Sequence, residues 1–248
     1  VNTTNLKVFL FSDFFQRKYY REKYSLLDQN LSVVGILKHD ESWINLIKRQ
    51  SECLPENFNG DDTVILFSRA ISSYLKRNTK EQSVRDIKKV VIDELGMKLV
   101  IKTHPKEFRD ATFDKILGKE NYGKNWIYSD LHPFVLGDGK KITISFYTGI
   151  AFDMNRIGVA CIEYFNWDYD TGFVDSDGVR VSSTVDLGMV IGAHNQIQLR
   201  FIIESIMKGS NKYTEGLVES YMKYFPLKNN NASIVASDII STAMAKLH

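Results

Sequence analysis

Short apolar runs of strand length alternate with stretches of helix length through the middle of this 248-residue chain. That alternation restricts the fold more than any other feature. Thr63-Val64-Ile65-Leu66-Phe67, Lys98-Leu99-Val100-Ile101-Lys102, Lys141-Ile142-Thr143-Ile144-Ser145 and Val159-Ala160-Cys161-Ile162-Glu163-Tyr164 are each four to six residues of mostly apolar sequence. Strands that are apolar on both faces belong to a parallel sheet covered on both sides by helices. Between the first two runs, Val84, Ile87, Val91 and Leu95 form the apolar stripe of a helix over 80–95. Thr79 and Gln82 have the spacing of a capping box at its start, and Gly96 supplies a left-handed cap at its end. Between the last two runs, Thr148 can cap a helix that Gly158 closes.

The flanks continue the pattern. Residues 6–11 and 31–37 read as strands with a helical stretch between them, and 40–49 as a short amphipathic helix with Trp43, Ile44 and Ile47 on one side. Residues 126–129 form a short strand and 131–136 a brief helix or turn. Three helices follow, over 195–207, 213–224 and 233–247. The polar segment 55–62, with Pro55, Asn57, Asn59 and Gly60, is the best boundary candidate. The expected divisions are residues 1–60 as the end of an N-terminal α/β domain with a linker, 61–208 as a nucleotide-binding Rossmann-like domain, and 209–248 as helices packing back.

Composition removes several classes of function. At 44% hydrophobic and 25% charged the chain is an ordinary globular one, and no apolar run approaches the roughly 20 residues that span a bilayer. A formal charge of +2 comes from 32 basic and 30 acidic residues that are interleaved, so nucleic acid is not indicated. The run Arg17-Lys18-Tyr19-Tyr20-Arg21 with Lys23 reads as a solvated helix face rather than a nucleic-acid or acidic-lipid contact. Cys53 and Cys161 lack a pairing or zinc pattern and read as plain thiols of a reducing cytoplasm. The start lacks a signal peptide, and a first residue other than Met points to a processed or excised chain. The loop bearing Asp168, Asp170, Asp175 and Asp177 lacks a calcium-loop register and reads as solvated, so neither metal nor cofactor is expected. His132-Pro133 sits in a turn, and His194 begins a helix; both read as structural.

Chemistry concentrates at two strand ends, where open α/β sheets bind ligands. Lys102 and His104 are two apart, so on an extended strand they share a face and together suit an anion, with Pro105 ending the ladder. A core histidine beside a solvated lysine is the structural alternative. At the second end, Ser145 leads into Phe146-Tyr147-Thr148-Gly149, where a hydroxyl, a small residue and the opening turn of a helix suit phosphate oxygens. Plain helix capping is the alternative there.

The order of these segments resembles a known family. Val64 to Arg69, the helix, Val100-Ile101-Lys102-Thr103-His104-Pro105, then Ser145-Phe146-Tyr147-Thr148-Gly149-Ile150-Ala151-Phe152-Asp153, then Gly158 to Tyr164 is similar to the donor-binding half of GT-B glycosyltransferases. The nearest likeness is to bacterial capsule and surface-polysaccharide transferases: Kdo and sialic acid transferases with a His-Pro motif, and teichoic-acid glycerophosphotransferases. Val33-Val34-Gly35-Ile36-Leu37-Lys38-His39-Asp40 similarly resembles the segment that closes the N-terminal domain of such enzymes. The resemblance covers residues 31–165. It implies a doubly wound parallel α/β sheet of the GT-B donor half with C-terminal helices.

Carried to these positions, the resemblance implies that His104, with Lys102 nearby, contacts the donor nucleotide or its phosphate. Ser145, Thr148 and Gly149 would cradle the phosphate, Glu163 would reach the ribose or base, and Ser68 and Arg69 are further phosphate candidates. The chain carries Tyr147-Thr148 where several relatives carry paired small hydroxyl residues, so Tyr147 is expected to pack. Asp13, after the first strand, is the one early candidate for the catalytic base. The implied activity is metal-independent transfer of a CMP-, UDP- or CDP-activated sugar, or a polyol phosphate, to a glycan or lipid-linked glycan of the bacterial surface. The implied location is the cytoplasm, with peripheral association at the inner face of the membrane. Since too little sequence precedes Gly35 for a whole N-terminal domain, that domain and the base within it are expected to lie outside this chain. A nucleotide-sugar 2-epimerase and a noncatalytic nucleotide-binding or scaffold domain are the alternatives.

Overall fold

The computed structural model describes residues 8–107, 111–164, 173–174, 178, 180–225 and 231–245. The four aspartates of the acidic loop, Asp168, Asp170, Asp175 and Asp177, lie outside the described residues. The chain divides into two compact units, one built from residues up to Gln50 together with those from Glu219 onward, the other from Ser51–Val218.

The first unit opens with β1 (Phe9–Phe11), α1 (Phe14–Tyr24) and β2 (Leu31–Val33), whose two strands pair in parallel. Both strands are three residues long, shorter than the sequence pattern implies. Gly35, at φ +90°, turns the chain away before Leu37 can extend β2. In α2 (Glu41–Gln50) Ile44 is buried, while Trp43, expected on the same apolar side, is 43% exposed.

The second unit holds the sheet. Its elements are β3 (Thr63–Phe67), α3 (Arg77–Ile87), β4 (Lys98–Lys102), α4 (Ala111–Leu117), β5 (Trp126–Tyr128), α5 (Pro133–Leu136), β6 (Ile142–Ser145), α6 (Ile150–Arg156) and β7 (Ala160–Tyr164). A small antiparallel pair follows, β8 (Phe173–Val174) with β9 (Arg180–Val181), then α7 (Ser183–Asp186), β10 (Ile191–Ala193) and α8 (Gln196–Met207). The six-stranded sheet has the order β10-β7-β6-β3-β4-β5, and every pair in it is parallel. Counted from the first strand of the unit, this is the 3-2-1-4-5-6 order of a doubly wound dinucleotide fold.

The strands are apolar on both faces because both are covered. Val64 and Leu66 of β3 pack in one cluster with Leu99 and Ile101 of β4, Val84 and Ile87 of α3, and Leu199, Ile202 and Ile203 of α8. Ile65 and Phe67 face the other side, in a cluster with Val100, Cys161, Leu136 of α5, and Ala151 and Met154 of α6. The period of two thus sorts one strand's side chains into two cores.

Three expectations about this unit are corrected. The helix after β3 begins at Arg77 rather than Lys80, with no side-chain cap at Lys76. Thr79 and Gln82 therefore lie inside it and form no capping box; Gln82 instead donates to Asp86 at 2.8 Å. From Lys88 to Glu94 the helix widens to a π-helix before Gly96 closes it at φ +62°. Within this stretch Val90 and Val91 are both fully buried. The third correction is β10, unread in the sequence because it is three residues long, contains Gly192, and gains its regularity from pairing with β7.

After α8, whose Asn195 cap accepts from the backbone N–H of Gln198, come α9 (Leu217–Tyr224) and α10 (Ala232–Ala245). Two buried polar residues of the first unit hold these C-terminal helices. His39 hydrogen-bonds through Nδ1 to the Tyr221 hydroxyl, and both are buried. The carboxylate of Asp40 accepts from the backbone N–H groups of Ala232 (2.5 Å) and Ser233 (2.9 Å) and from the Ser233 hydroxyl, capping α10 from a distant part of the chain. Among the described residues no helix is long and apolar enough to cross a membrane.

Candidate functional site

A doubly wound sheet has one place where adjacent strands lead away in opposite directions, and the crevice outside their carboxyl ends there is left open for ligand. In this sheet β3 and β6 are those neighbours, since β3 leads to β4 on one side and β6 to β7 on the other. A cleft of about 400 Å³ lies at that point. Its walls come from three loops: Arg69, Ala70, Ile71 and Ser72 after β3, His104 and Lys106 after β4, and Tyr147, Thr148 and Gly149 after β6. Among the described residues the cleft therefore gathers two cations and an imidazole and no carboxylate. Depressions of about 450 and 520 Å³ in the first unit carry Asp238 and Asp40 on their walls, with Lys38 as the one cation among the described residues.

Arg69 joins the first and third loops. Its Nη1 donates to the carbonyl of Tyr147 at 2.5 Å, and its guanidinium carbon lies 5.2 and 5.4 Å from the ring centroids of Tyr74 and Tyr147. The flat, weakly hydrated cation is thus held between aromatic faces, with donors left over after the one it spends on the backbone. Tyr147 has φ +51°, a left-handed conformation uncommon for an aromatic residue. Strain of this kind persists where surrounding contacts over-determine the backbone, and here the Arg69 bond and a 3.4 Å contact of the Tyr147 hydroxyl with Ser183 do so.

His104 presents a ring with one nitrogen already engaged, because Nδ1 accepts the backbone N–H of Lys106 at 3.0 Å. Thr148 accepts the Ile150 N–H at 3.1 Å through its hydroxyl oxygen, so it caps α6 while its own O–H proton stays available. Gly149 occupies φ −61°, a conformation open to any residue, and a Cβ there would meet no atom within 4 Å. Neither backbone geometry nor protein packing requires a glycine at this position.

The remaining predicted residues lie elsewhere. Lys102 does not join His104 in the cleft: β4 ends at Lys102, so the alternation expected to place both on one face stops there. Its ammonium donates to the carbonyl of Asp130 at 3.1 Å, and burial lowers its pKa against the opposing pull of the Asp130 carboxylate. Ser145 is fully buried beneath the cleft, accepting from the Cys161 thiol at 3.5 Å. Ser68 is buried and donates to Glu107 at 2.9 Å. In the first unit, Asp13 caps α1 by accepting the Gln16 N–H at 2.8 Å through Oδ1, while Oδ2 accepts from the Ser12 hydroxyl at 2.9 Å. Lys106 lines the cleft although no sequence motif singles it out; the only available signal is its place two residues beyond His104 in the same loop.

Glu163, at the end of β7, is 1% exposed. Its Oε2 accepts from Thr184 at 3.0 Å, Thr184 in turn contacts Ser182 at 2.8 Å, and Oε1 has no partner among the described residues. Burial pushes this carboxyl up to about 7, opposed by the Ser182 and Thr184 hydroxyls and the positive charge of Arg69. The neighbouring Cys161 thiol is pushed up to about 11, again by burial. Among the described residues no three metal-ligating side chains come together.

No protein-family model matches this chain, and no curated protein sequence does. Solved structures do. The wall teichoic acid polymerase TagF superimposes with a TM-score of 0.61 at 14% identity, over 98% of this chain and 59% of that one. A UDP-GlcNAc 2-epimerase from Methanocaldococcus jannaschii gives 0.63 at 14% identity, over 94% of this chain and 62% of that one. The UDP-GlcNAc 2-epimerase of Neisseria meningitidis, bound to UDP-GlcNAc, gives 0.52 at 14% identity, over 90% and 59%. The chain thus has the Rossmann-like fold of GT-B proteins, in agreement with its doubly wound strand order. It spans about three fifths of the length of these structures.

Proposed function

We propose that the cleft at the β3–β6 crossing binds the phosphates of a nucleotide-activated donor, and that the chain is the donor-binding part of a transferase that passes a sugar or polyol phosphate to a surface glycan. The observation that carries this reading is the convergence of Arg69, His104 and Lys106 on one cleft at the switch point of a doubly wound sheet. Two cations and an imidazole donor of this kind stabilise a leaving phosphate without a metal, and they are already in place before charge develops. Arg69 offers a fork for two phosphate oxygens, Lys106 a mobile point charge, and His104 and Thr148 single donors. At Gly149 the missing side chain leaves the space that a phosphate would fill.

The general base that activates the acceptor hydroxyl would come from outside these walls, which carry no carboxylate among the described residues. A glycan or lipid-linked glycan at the inner face of a bacterial membrane is the acceptor in this reading. UDP-GlcNAc 2-epimerases share the fold and supply the second reading. An epimerase needs acidic residues around the sugar, and the described walls of this cleft, which carry none, favour the transferase.

Calorimetric titration with CMP, UDP and CDP tests the site. We expect saturable binding of at least one, weakened severalfold by His104→Ala or Thr148→Val. Binding of none of the three would refute the donor site, and formation of a free epimerised sugar nucleotide by the longest native chain would refute the transferase.

A further inference from the structure

The loop carrying His104 is held from below by a buried ion pair that joins three elements. Glu107 lies three residues past His104 and is buried, as is Lys80 of α3 at 1% exposure. Oε1 of Glu107 accepts from the Lys80 ammonium and from the Ser68 hydroxyl at 2.9 Å, while Oε2 accepts the backbone N–H of His104 at 3.2 Å. The backbone N–H of Glu107 in turn donates to the His104 carbonyl at 2.7 Å, closing the turn on itself. The Lys80 ammonium also sits 5.0 Å from the ring centroid of Phe113. One carboxylate thus fixes the end of β3, helix α3 and the loop after β4.

A buried pair is a poor device for stability alone, since the cost of desolvating both charges rivals their attraction and apolar residues of the same volume often do as well. What this pair adds is a fixed geometry at one backbone N–H, and that N–H belongs to His104. In the loop so fixed, Lys106 directs its own N–H at Nδ1 of the imidazole. A ring nitrogen that accepts a hydrogen bond carries no proton, so the neutral ring has its proton on Nε2, the nitrogen left to the cleft that His104 lines.

We propose that Glu107, charge-balanced by Lys80, is a positioning residue that holds His104 as the Nε2–H tautomer with that N–H offered to a phosphate oxygen of the ligand. The choice of ligand rests on the donor-site reading above; the tie between Glu107 and the tautomer does not. His104 then donates a hydrogen bond while neutral, and Arg69 and Lys106 supply the charge.

Long-range proton–nitrogen spectra of the histidine rings in the whole chain at pH 8 read the tautomer directly, with His104→Ala assigning the signal. The wild type is expected to show a protonated Nε2 and a bare Nδ1 at His104; the reverse pattern, or an average of the two, would overturn the proposal without any variant. Glu107→Gln alone strands a buried ammonium, so the informative variant is Lys80→Met with Glu107→Gln, which removes both charges. It should melt cooperatively, show a tautomer average at His104, and lose about tenfold in affinity for CDP or whichever nucleotide binds. A folded double variant with the wild-type ring pattern, or with a changed pattern and unchanged affinity, overturns the positioning role. If the wild type binds no nucleotide but the ring pattern still changes in the double variant, the ligand assignment falls and the tie between Glu107 and His104 stands.

Discussion

Replacing Glu163 by Gln should stabilise this protein, and the gain should depend on pH in a way that identifies its cause. The carboxyl is 1% exposed, has one oxygen without a partner among the described residues, and is pushed from 4.5 up to about 7 by burial. An acid whose pKa is raised on folding binds its proton more tightly in the folded state, so folding is favoured while both states are protonated, below about pH 4.5. As pH rises from there to about 7 the unfolded chain ionises first, and the folded state is progressively penalised. Above that window the penalty is constant at about 3 kcal/mol, because each tenfold difference in proton affinity between the folded and unfolded chain is worth about 1.4 kcal/mol. The amide of Gln has the same shape, keeps an acceptor for Thr184, and does not ionise. Urea unfolding of both proteins at pH 5.0 and 8.5 should therefore give similar stabilities at the lower pH, with the variant ahead by as much as about 3 kcal/mol at the higher. A variant that is less stable at pH 8.5, or a difference that does not change with pH, would refute the reasoning and mean that the ionised carboxylate is compensated where it lies.

Gly149→Ala should leave the melting temperature unchanged or slightly higher, because φ −61° suits alanine and no atom stands within 4 Å of the new methyl group, with about 0.4–1 kcal/mol available from the unfolded chain. Its nucleotide affinity should fall in the titration described above; unaltered affinity would place the phosphate elsewhere. Cys161 is buried with its thiol pushed up to about 11, whereas Cys53 is exposed. A thiol reagent at pH 8 should therefore modify one cysteine of the native protein and two after denaturation, and rapid reaction of both in the native state would contradict the packing around Cys161.

Much of the scaffold is legible in local patterns. Thr63–Phe67 and Lys98–Lys102 fall where their apolar runs begin and end, and Gly96 and Gly158 take the left-handed conformations that closing a helix requires. These signals need only a few neighbouring residues. Elements whose regularity depends on distant partners escape such a reading. The widened turn at Lys88–Glu94 packs Val90 and Val91 into the core of the sheet, and β10 is a strand because β7 offers it a pairing edge. The N-terminus of α10 is capped by Asp40, almost two hundred residues away, and no local pattern announces such a cap.

The site divides in the same way. Part of the candidate site is visible in the sequence, since His104, Thr148, Gly149 and Arg69 each follow a strand and ligands gather at strand ends. Which of these residues meet is a matter of strand order. Placing β3 beside both β4 and β6 brings their three exit loops to one cleft, while the end of β4 at Lys102 turns that lysine to Asp130 and leaves Lys106 to take its place. The chain alone determined that a parallel α/β sheet would form, because the burial period and helix-ending glycines are local and cheap to satisfy. Only the tertiary structure decided which loops share one cleft, because that depends on the hydrogen-bonded order of strands far apart in sequence. It alone also showed that a buried Glu107–Lys80 pair fixes the loop from which His104 faces that cleft.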